Sequence, residues 1–244
     1  MAKIIAVANQ KGGVGKSTVC KGLGLQFASS GKRTLLIDCD AGLSSLDIML
    51  GVADTVTFTW IDIIEDVCTV SDALISINEN LSFLASPRKI LKEDYENSLK
   101  EIIDGIEDNF DIIILDAPAG VGRGLSRAAK AASKALIVAT ADEISVKDAA
   151  TVSTVLSEYG ISDTRLLINR YRLKSAKKGK FLTVDEIIDK TFVQLIGIIP
   201  EDENILYSTV SAKKLKTKKS DGAFMRISKR ISGENIALTL SQLK

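Results

Sequence analysis

Residues 9–18, with the sequence Asn-Gln-Lys-Gly-Gly-Val-Gly-Lys-Ser-Thr, combine the residue types that hold a phosphate group. They directly follow the apolar segment 4–8. Where a strand ends in a glycine-rich turn and opens into a helix, backbone N–H groups converge on an oxyanion, because glycine permits close approach and unusual φ. In such a loop Lys16 reaches the terminal phosphates of a nucleotide, and the Ser17 hydroxyl binds Mg²⁺. We therefore predict a phosphate-binding loop here.

Two further apolar segments end in carboxylates that suit a metal ion and a reacting water. Asp38 and Asp40 follow the segment 34–37, and Asp116 ends the segment that begins at 111. At the carboxyl end of a strand, Asp38 and Asp116 would serve Mg²⁺, usually through water, while Asp40 would orient or deprotonate an attacking water. Acids often follow strands, so neither group is specific alone.

The apolar pattern predicts the elements that position these residues. Short, largely uninterrupted apolar runs are typical of strands buried on both faces, and they occur at 4–8, 34–37, 81–85, 111–115, 135–139, 165–168 and 193–199. Helical patterns occur at 16–30, 93–108, 122–132, 145–159, 184–191, 203–210 and 222–232. The alternation predicts the α/β class: a doubly wound, mostly parallel twisted sheet with helices on both faces. In such sheets ligands bind beyond the carboxyl ends of the strands.

Length and composition favour one compact domain over residues 1–244. The chain is 45% apolar with three prolines, which argues against disorder. No segment approaches the roughly 18 uninterrupted apolar residues of a membrane span, and the first strand begins too early for a signal peptide. We expect a cytoplasmic protein. Cys20, Cys39 and Cys68 lack C-x-x-C spacing, so we expect reduced and mostly buried thiols.

The formal net charge of +1 conceals two basic clusters. Residues 170–180 carry six Lys or Arg and no acid, and residues 211–230 carry eight against Asp221 alone. Such clusters can meet nucleic acid, anionic lipid or an acidic partner. More often they are solvated loops.

The glycine-rich segment departs from the strict phosphate-loop pattern, since Gln10 stands where glycine is required. It resembles instead the deviant Walker A box, K-G-G-V-G-K-[ST], of the MinD/ParA family of ATPases, whose signature residue is the first lysine, here Lys11. The segment 38–51 resembles the family's switch I, and 116–120 resembles its switch II. The resemblance covers residues 2 to about 235, is closest to the MinD branch, and implies an ATPase that uses ATP and Mg²⁺.

The resemblance also implies a role for each matching residue. ATP phosphates would be held by Lys11, Gly12, Gly13, Val14, Gly15, Lys16, Ser17 and Thr18. Adenine would lie beside Asn169, Arg170, Pro200, Glu201 and Asp202. Catalysis would use Lys11, Lys16 and Asp40, and Mg²⁺ would be bound by Ser17, Asp38 and Asp116. Judged without the resemblance, Asn169 is equally a turn or cap residue, and residues 200–202 are equally a helix start.

For the assembly, the resemblance implies a nucleotide-switched homodimer that acts in spatial positioning of the division site. Lys11 of each ATP-bound subunit would reach the phosphates of the other, as an arginine finger does. The segment Glu143–Asp148 resembles the one that crosses the dimer interface, although Ala141-Asp142 stands where Asn-Pro is usual. A protein activator or cell-division partner is also implied.

The end of the sequence departs from the MinD pattern of a short basic amphipathic helix that binds the membrane surface. Residues 233–244 carry one lysine and favour a closing strand or a packed loop. Residues 223–231 have an apolar stripe with basic residues opposite, as either a last core-packing helix or an anchor on the inner face of the cell membrane would. Three other functions stay open: a ParA-type partition ATPase that binds DNA nonspecifically, a flagellar-number regulator, and an ATP-binding scaffold with negligible hydrolysis.

Overall fold

A computed structural model describes residues 1–88, 95–208 and 218–239. Its strands are β1 Lys3–Ala8, β2 Thr34–Asp38, β3 Leu74–Asn78, β4 Leu81–Leu84, β5 Ile112–Asp116, β6 Lys134–Ala139, β7 Thr164–Tyr171 and β8 Leu195–Pro200. Its helices are α1 Lys16–Ser29, α2 Leu46–Leu50, α3 Trp60–Ile64, α4 Val70–Ala73, α5 Ser98–Ile106, α6 Arg123–Ala131, α7 Glu143–Glu158, α8 Leu173–Ala176, α9 Val184–Thr191, α10 Glu203–Ser208 and α11 Lys218–Ser232.

The strands form one eight-stranded sheet in the order β3-β4-β2-β5-β1-β6-β7-β8. Every neighbouring pair is parallel except β3 and β4, which run antiparallel at one edge. β1 therefore lies in the middle, with β5 on one side and β6 on the other. The carboxyl ends of the parallel strands meet along one edge, where the phosphate loop leaves β1.

Apolar side chains pack on both faces of the sheet, as the doubly wound prediction requires. One layer packs against α5, α6, α7 and α9 and contains Ile113, Ile137 and Ile168. The other packs against α1 and α11 and contains Ile114, Val138 and Leu167. Successive residues of a strand point to opposite faces. A strand that is covered on both faces therefore needs apolar side chains at successive positions, and each central strand is buried along most of its length.

The last helix, α11, belongs to the core. Phe224 and Ile227 are fully buried, and close approach is possible because Gly22 of α1 and Gly197 of β8 carry no side chain: a Cβ at either glycine would collide with these residues. The apolar stripe of residues 223–231 therefore packs inside the molecule. This confirms the core-packing prediction over a membrane anchor at this segment.

The chain after α11 has no regular structure through residue 239. Arg230 holds it by donating hydrogen bonds to the carbonyls of Ile236 and Ala237, at 2.9 and 2.8 Å. Residues 233–239 are therefore an irregular segment that Arg230 ties to the molecule, and the predicted closing strand is absent from them; they are mostly exposed, so the predicted packing of the loop is not observed there. Residues 240–244 lie outside the described residues. None of the helices in residues 1–88, 95–208 and 218–239 has the length and apolarity of a transmembrane span.

Each predicted strand and helix is present; the helix predicted at 184–191 has the predicted ends, the others have shifted ends, and several elements were missed. The strand predicted at 193–199 begins at Leu195 because α9 continues to Thr191 and its C-cap, Phe192, has a left-handed backbone. The helix predicted at 93–108 is α5 with a short 3₁₀ turn at Glu107–Asn109, and residues 93–94 lie outside the described residues, as do 209 and 210 of the predicted helix 203–210. The missed elements are β3, a half-exposed edge strand, and the one-turn helices α2, α3, α4 and α8.

We expect Gly22→Ala to lower the free energy of unfolding by about 1–3 kcal/mol, because the added methyl group overpacks the core against Phe224. Gly105→Ala, at an exposed position of α5 with open space around the Cβ position, should instead stabilise by up to about 1 kcal/mol through helix propensity. Urea unfolding of both variants checks this. Equal effects of the two substitutions would contradict the packing described for α11.

Candidate functional site

The loop between β1 and α1 has the backbone of a phosphate cradle. Gly13 and Gly15 have φ of +76° and +96°, a region that favours glycine. Gly15 caps α1, and a Cβ there would collide with the Asn169 side-chain amide. Asn9 fixes the start of the loop, since its Nδ2 donates to the Val138 carbonyl at 2.6 Å and its Oδ1 accepts from the Lys11 N–H at 2.9 Å.

Two acids meet beside this loop at the ends of neighbouring strands. Asp38 and Asp116 are register partners of β2 and β5, and both are buried, at 1% and 4% exposure. Burial, and then the charge of Asp38, raise the pKa of Asp116 to about 7, although hydrogen bonds from Ser17 and Cys20 and the charge of Lys16 oppose this. The Oδ1 atom of Asp116 has no hydrogen-bond partner among the described residues.

Asp38 is held firmly by switch I. Its carboxylate accepts hydrogen bonds from the Asp40 N–H at 2.9 Å, from the Ser44 hydroxyl at 3.2 Å, and from the N–H groups of Ser45 and Leu46 at 3.3 Å. Burial raises the pKa of Asp38, and these four hydrogen bonds oppose the rise. The segment predicted as switch I therefore folds around the Asp38 carboxylate, which is predicted to serve Mg²⁺.

Lys16, Ser17 and Asp40 complete this side of the site. Lys16 is 9% exposed, and burial lowers its pKa against the opposing charges of Asp116 and Asp40. Burial raises the pKa of Asp40 while the charge of Lys16 lowers it. Ser17 donates to Asp116 and accepts from the Ser45 hydroxyl at 3.3 Å.

The donor set fits Mg²⁺. The ion prefers oxygen ligands and binds through one or two carboxylates together with substrate phosphates. The Ser17 hydroxyl and the buried, unpartnered Oδ1 of Asp116 are such oxygens, and Asp38 lies opposite them.

On the other side of the loop lies a cavity of about 430 Å³. It is lined by Lys11, Gly12, Gly13, Val14, Thr140, Ala141, Asp142, Arg170, Arg172, Phe181 and Glu201. The structure thus brings the predicted phosphate loop together with Arg170 and Glu201 of the predicted adenine site. Thr140, Ala141 and Asp142, which follow β6, complete the wall.

Three residues predicted to lie beside adenine are placed differently from one another. Asn169 is 3% exposed and donates through Nδ2 to the Val14 carbonyl at 2.8 Å, so it braces the phosphate loop. Pro200 is buried at the end of β8. Asp202 is turned toward α11, where it accepts from the Ser220 hydroxyl at 2.7 Å. A nucleotide role for these residues stays a prediction.

The Lys11 ammonium contacts the Asp142 carboxylate at 2.9 Å. Asp142 is the N-cap of α7 and stands at the carboxyl end of β6. In the sequence Asp142 stands out only as a departure from the family pattern, and its pairing with Lys11 was not predicted. The available signal is its place three residues beyond the predicted strand 135–139, at the same ends of the strands as Asp38 and Asp116.

Two contacts behind the carboxylates of Asp38 and Asp116 were also not predicted from the sequence. The Trp60 indole donates to the Asp38 carbonyl at 3.2 Å, and the Arg127 guanidinium lies 5.5 Å from the centre of the Trp60 ring. This stacking joins α6, which follows switch II, to the strand end that carries Asp38.

The thiols of Cys20 and Cys39 are free and buried, as expected, while Cys68 is partly exposed.

The doubly wound sheet, the glycine loop that opens into α1, and the carboxylates of β2 and β5 define a P-loop nucleotide hydrolase. A family model described as an AAA domain matches residues 2–159. The septum site-determining protein MinD of Synechocystis sp. is 35% identical over 243 residues, which cover 97% of this chain and 91% of that protein. The chain belongs to the MinD family, and it is an ATPase that uses ATP and Mg²⁺.

Solved structures agree with this assignment. MinD in the MinC:MinD cell division protein complex of Aquifex aeolicus has a TM-score of 0.90 with this chain at 29% identity, over 98% of both chains. Pyrococcus horikoshii MinD complexed with Mg-ADP has a TM-score of 0.82 at 25% identity, over 95% of this chain and 96% of that one. The predicted fold class is confirmed.

Asp116→Asn should stabilise the nucleotide-free protein while removing its response to Mg-ATP. At pH 8 the buried Asp116 is charged and faces Asp38, so a neutral amide should add roughly 0.5–2 kcal/mol to the free energy of unfolding. Asp38→Asn should destabilise, because an amide nitrogen would face N–H donors. Urea unfolding with and without Mg-ATP measures both effects; an Asp116→Asn protein still stabilised by Mg-ATP would contradict this account.

Lys21 gives a pH-dependent prediction. This residue of α1 is 2% exposed, its ammonium donates to the Met49 carbonyl of α2 at 2.8 Å, and burial lowers its pKa from 10.5 to about 8. Between these two values the unfolded chain binds the proton and the folded chain does not, so the free energy of unfolding should rise with pH, by at most about 1.4 kcal/mol per pH unit. Subtracting the curve of unfolding free energy against pH for Lys21→Met removes the contribution of the other titrating groups. If the difference between the two curves does not change between pH 8 and 10.5, the lowered pKa of Lys21 is wrong.

Proposed function

We propose that this chain is a nucleotide-switched dimer that helps to position the division site, in which Lys11 of each subunit serves the ATP of the other. The supporting observation is the difference between its two loop lysines. Lys16 is buried beside Asp116, whereas the Lys11 side chain is 35% exposed and lines the cavity. Lys16 is placed for the subunit's own phosphates, and Lys11 is the cation that a facing subunit can meet.

Exposed apolar residues near the same edge support a protein partner there. Leu43 of switch I is 77% exposed, Val121 after switch II is 41% exposed, Ile144 of α7 is 66% exposed, and Phe181 at the cavity is 40% exposed. Apolar groups that surround a charged site are typical of a surface that another protein covers. A second copy of the chain would bury all four and exclude water from the phosphates.

The mechanism follows from the placement of the charged groups. Asp40, held beside Lys16, orients the attacking water and accepts its proton. Lys16 and the partner's Lys11 neutralise the charge that develops on the transferred phosphoryl group. Ser17, Asp38 and Asp116 would hold Mg²⁺, and the ion would supply positive charge beside the phosphates. Loss of the γ-phosphate removes the anion that both subunits share, and the dimer then separates.

The dimer is expected to act through a further protein. The Aquifex relative is named as a complex of MinC with MinD, and we propose a comparable protein partner for this chain, with peripheral attachment to the cell membrane. Co-sedimentation with anionic vesicles in Mg-ATP and in Mg-ADP tests the attachment. Pelleting in ATP alone supports a membrane switch, and no pelleting in either nucleotide contradicts it.

One observation favours the DNA-binding alternative. Arg170, Arg172, Lys174, Lys177, Lys178 and Lys180 are all exposed, and the first two line the nucleotide cavity. Nonspecific DNA binding through these cations would be ATP-dependent and would weaken steeply with salt. A filter-binding titration at two salt concentrations separates this function from membrane attachment.

Lys11→Ala should abolish both the ATP-dependent dimer and hydrolysis, whereas Asp40→Ala should slow hydrolysis about 10²-fold or more and trap the dimer. Light scattering after size exclusion measures the dimer, and phosphate release measures turnover. Lys16→Ala serves as the control, because it removes the lysine that is placed for the subunit's own phosphates. Dimers of Lys11→Ala in Mg-ATP would disprove the role across the interface, and turnover independent of Lys16 would indicate a contaminating ATPase.

A further inference from the structure

The ion pair between Lys11 and Asp142 lies within one subunit and occupies the lysine that the proposed dimer needs. Its two side chains are 35% and 34% exposed. The pair also lines the cavity together with Gly12 and Gly13. The cation is therefore neutralised at the place where a second subunit would approach.

The Asp142 carboxylate is held in place for this contact. Its Oδ1 accepts from the Ser145 N–H at 3.0 Å as the N-cap of α7, and its Oδ2 accepts from the Thr140 hydroxyl at 2.6 Å. Burial opposes ionisation, but the hydrogen bonds from Thr140 and Lys11 outweigh it and hold the pKa of Asp142 below its usual range. The acceptor is thus charged and rigid, and Lys11 is the flexible member of the pair.

The backbone on the lysine side is equally fixed. The Lys11 N–H donates to Asn9, which is itself bonded to β6 through the Val138 carbonyl. Asp142 is the third residue after β6. The two ends of the ion pair are therefore anchored to the same strand, and only the side chain of Lys11 needs to move for the pair to open.

We propose that Asp142 is a positioning residue that retains Lys11 within its own subunit until phosphate of a facing subunit replaces the carboxylate. This inference rests on the proposed dimer. One ammonium in contact with Asp142 cannot at the same time contact the partner's phosphates, so two ion pairs must open for each dimer that forms. The pair weakens association of the free subunits and leaves the assembled site unchanged.

The test uses Asp142→Asn in the full-length chain. Asparagine caps a helix as well as aspartate does, and its amide can still meet Ser145 and Thr140, so the substitution removes the ion pair and keeps α7. Partly exposed ion pairs are weak, and two opened pairs predict a dimer dissociation constant in Mg-ATP that is about two- to thirty-fold lower than in the wild type. Analytical ultracentrifugation over a concentration series measures it.

Asp163→Asn is the matched control. The Asp163 side chain is 33% exposed and pairs with Lys134 and Arg165 at the opposite edge of the sheet. It changes the net charge of the chain by the same amount, and its dimer dissociation constant should equal that of the wild type. If Asp142→Asn leaves the constant unchanged, or raises it, the proposal is overturned.

A second readout needs no dimer. In the nucleotide-free monomer, acetylation of Lys11 by a brief pulse of an activated ester, quantified by mass spectrometry, should be about two- to five-fold faster in Asp142→Asn than in the wild type or Asp163→Asn. Equal rates would overturn the ion pair itself. If the wild type stays monomeric in Mg-ATP while Lys11 still reacts faster in Asp142→Asn, the dimer of the proposed function has failed and the retention of Lys11 stands.

Discussion

Two carboxylates buried side by side at the ends of β2 and β5 are the constraint around which this site is built. Asp38 and Asp116 repel each other in a poorly solvated place, and burial is the first cause of the raised pKa of each. Switch I supplies four hydrogen bonds to Asp38. Asp116 accepts a hydrogen bond from Ser17 and is stabilised by the charge of Lys16, but its Oδ1 has no hydrogen-bond partner among the described residues. This pair of buried acids, with one oxygen left without a partner among the described residues, is the arrangement that the predicted Mg²⁺ site requires.

The same constraint explains why the loop needs two lysines with different surroundings. Lys16 is buried, and the charges of Asp116 and Asp40 already act on it before ATP binds. Lys11, outside this buried cluster, pairs with Asp142 at the rim. A partly exposed pair costs little to open compared with a buried one. The exposed lysine is therefore the one that the proposed dimer can use across its interface.

Much of this arrangement follows from sequence because it depends on residue types at strand ends. Apolar runs predict the central strands, and parallel strands place Asp38, Asp116 and the phosphate loop on one edge. The antiparallel strand β3 escaped detection, since an edge strand is half exposed and lacks an unbroken apolar run. The partners of Lys11 and Asn169 also escaped, because contacts between side chains far apart in sequence depend on packing and leave no local pattern.

The packing of α11 extends the site into the rest of the molecule. This helix presses Phe224 onto α1 at Gly22 and Ile227 onto β8 at Gly197, with no room for a methyl group at either glycine. Its first turn is hydrogen-bonded to Asp202, just beyond β8. Close-packed contacts transmit displacement because they cannot be compressed. A shift of α1 on the phosphate side, or of the 200–202 segment beside the cavity, must therefore be accommodated by α11.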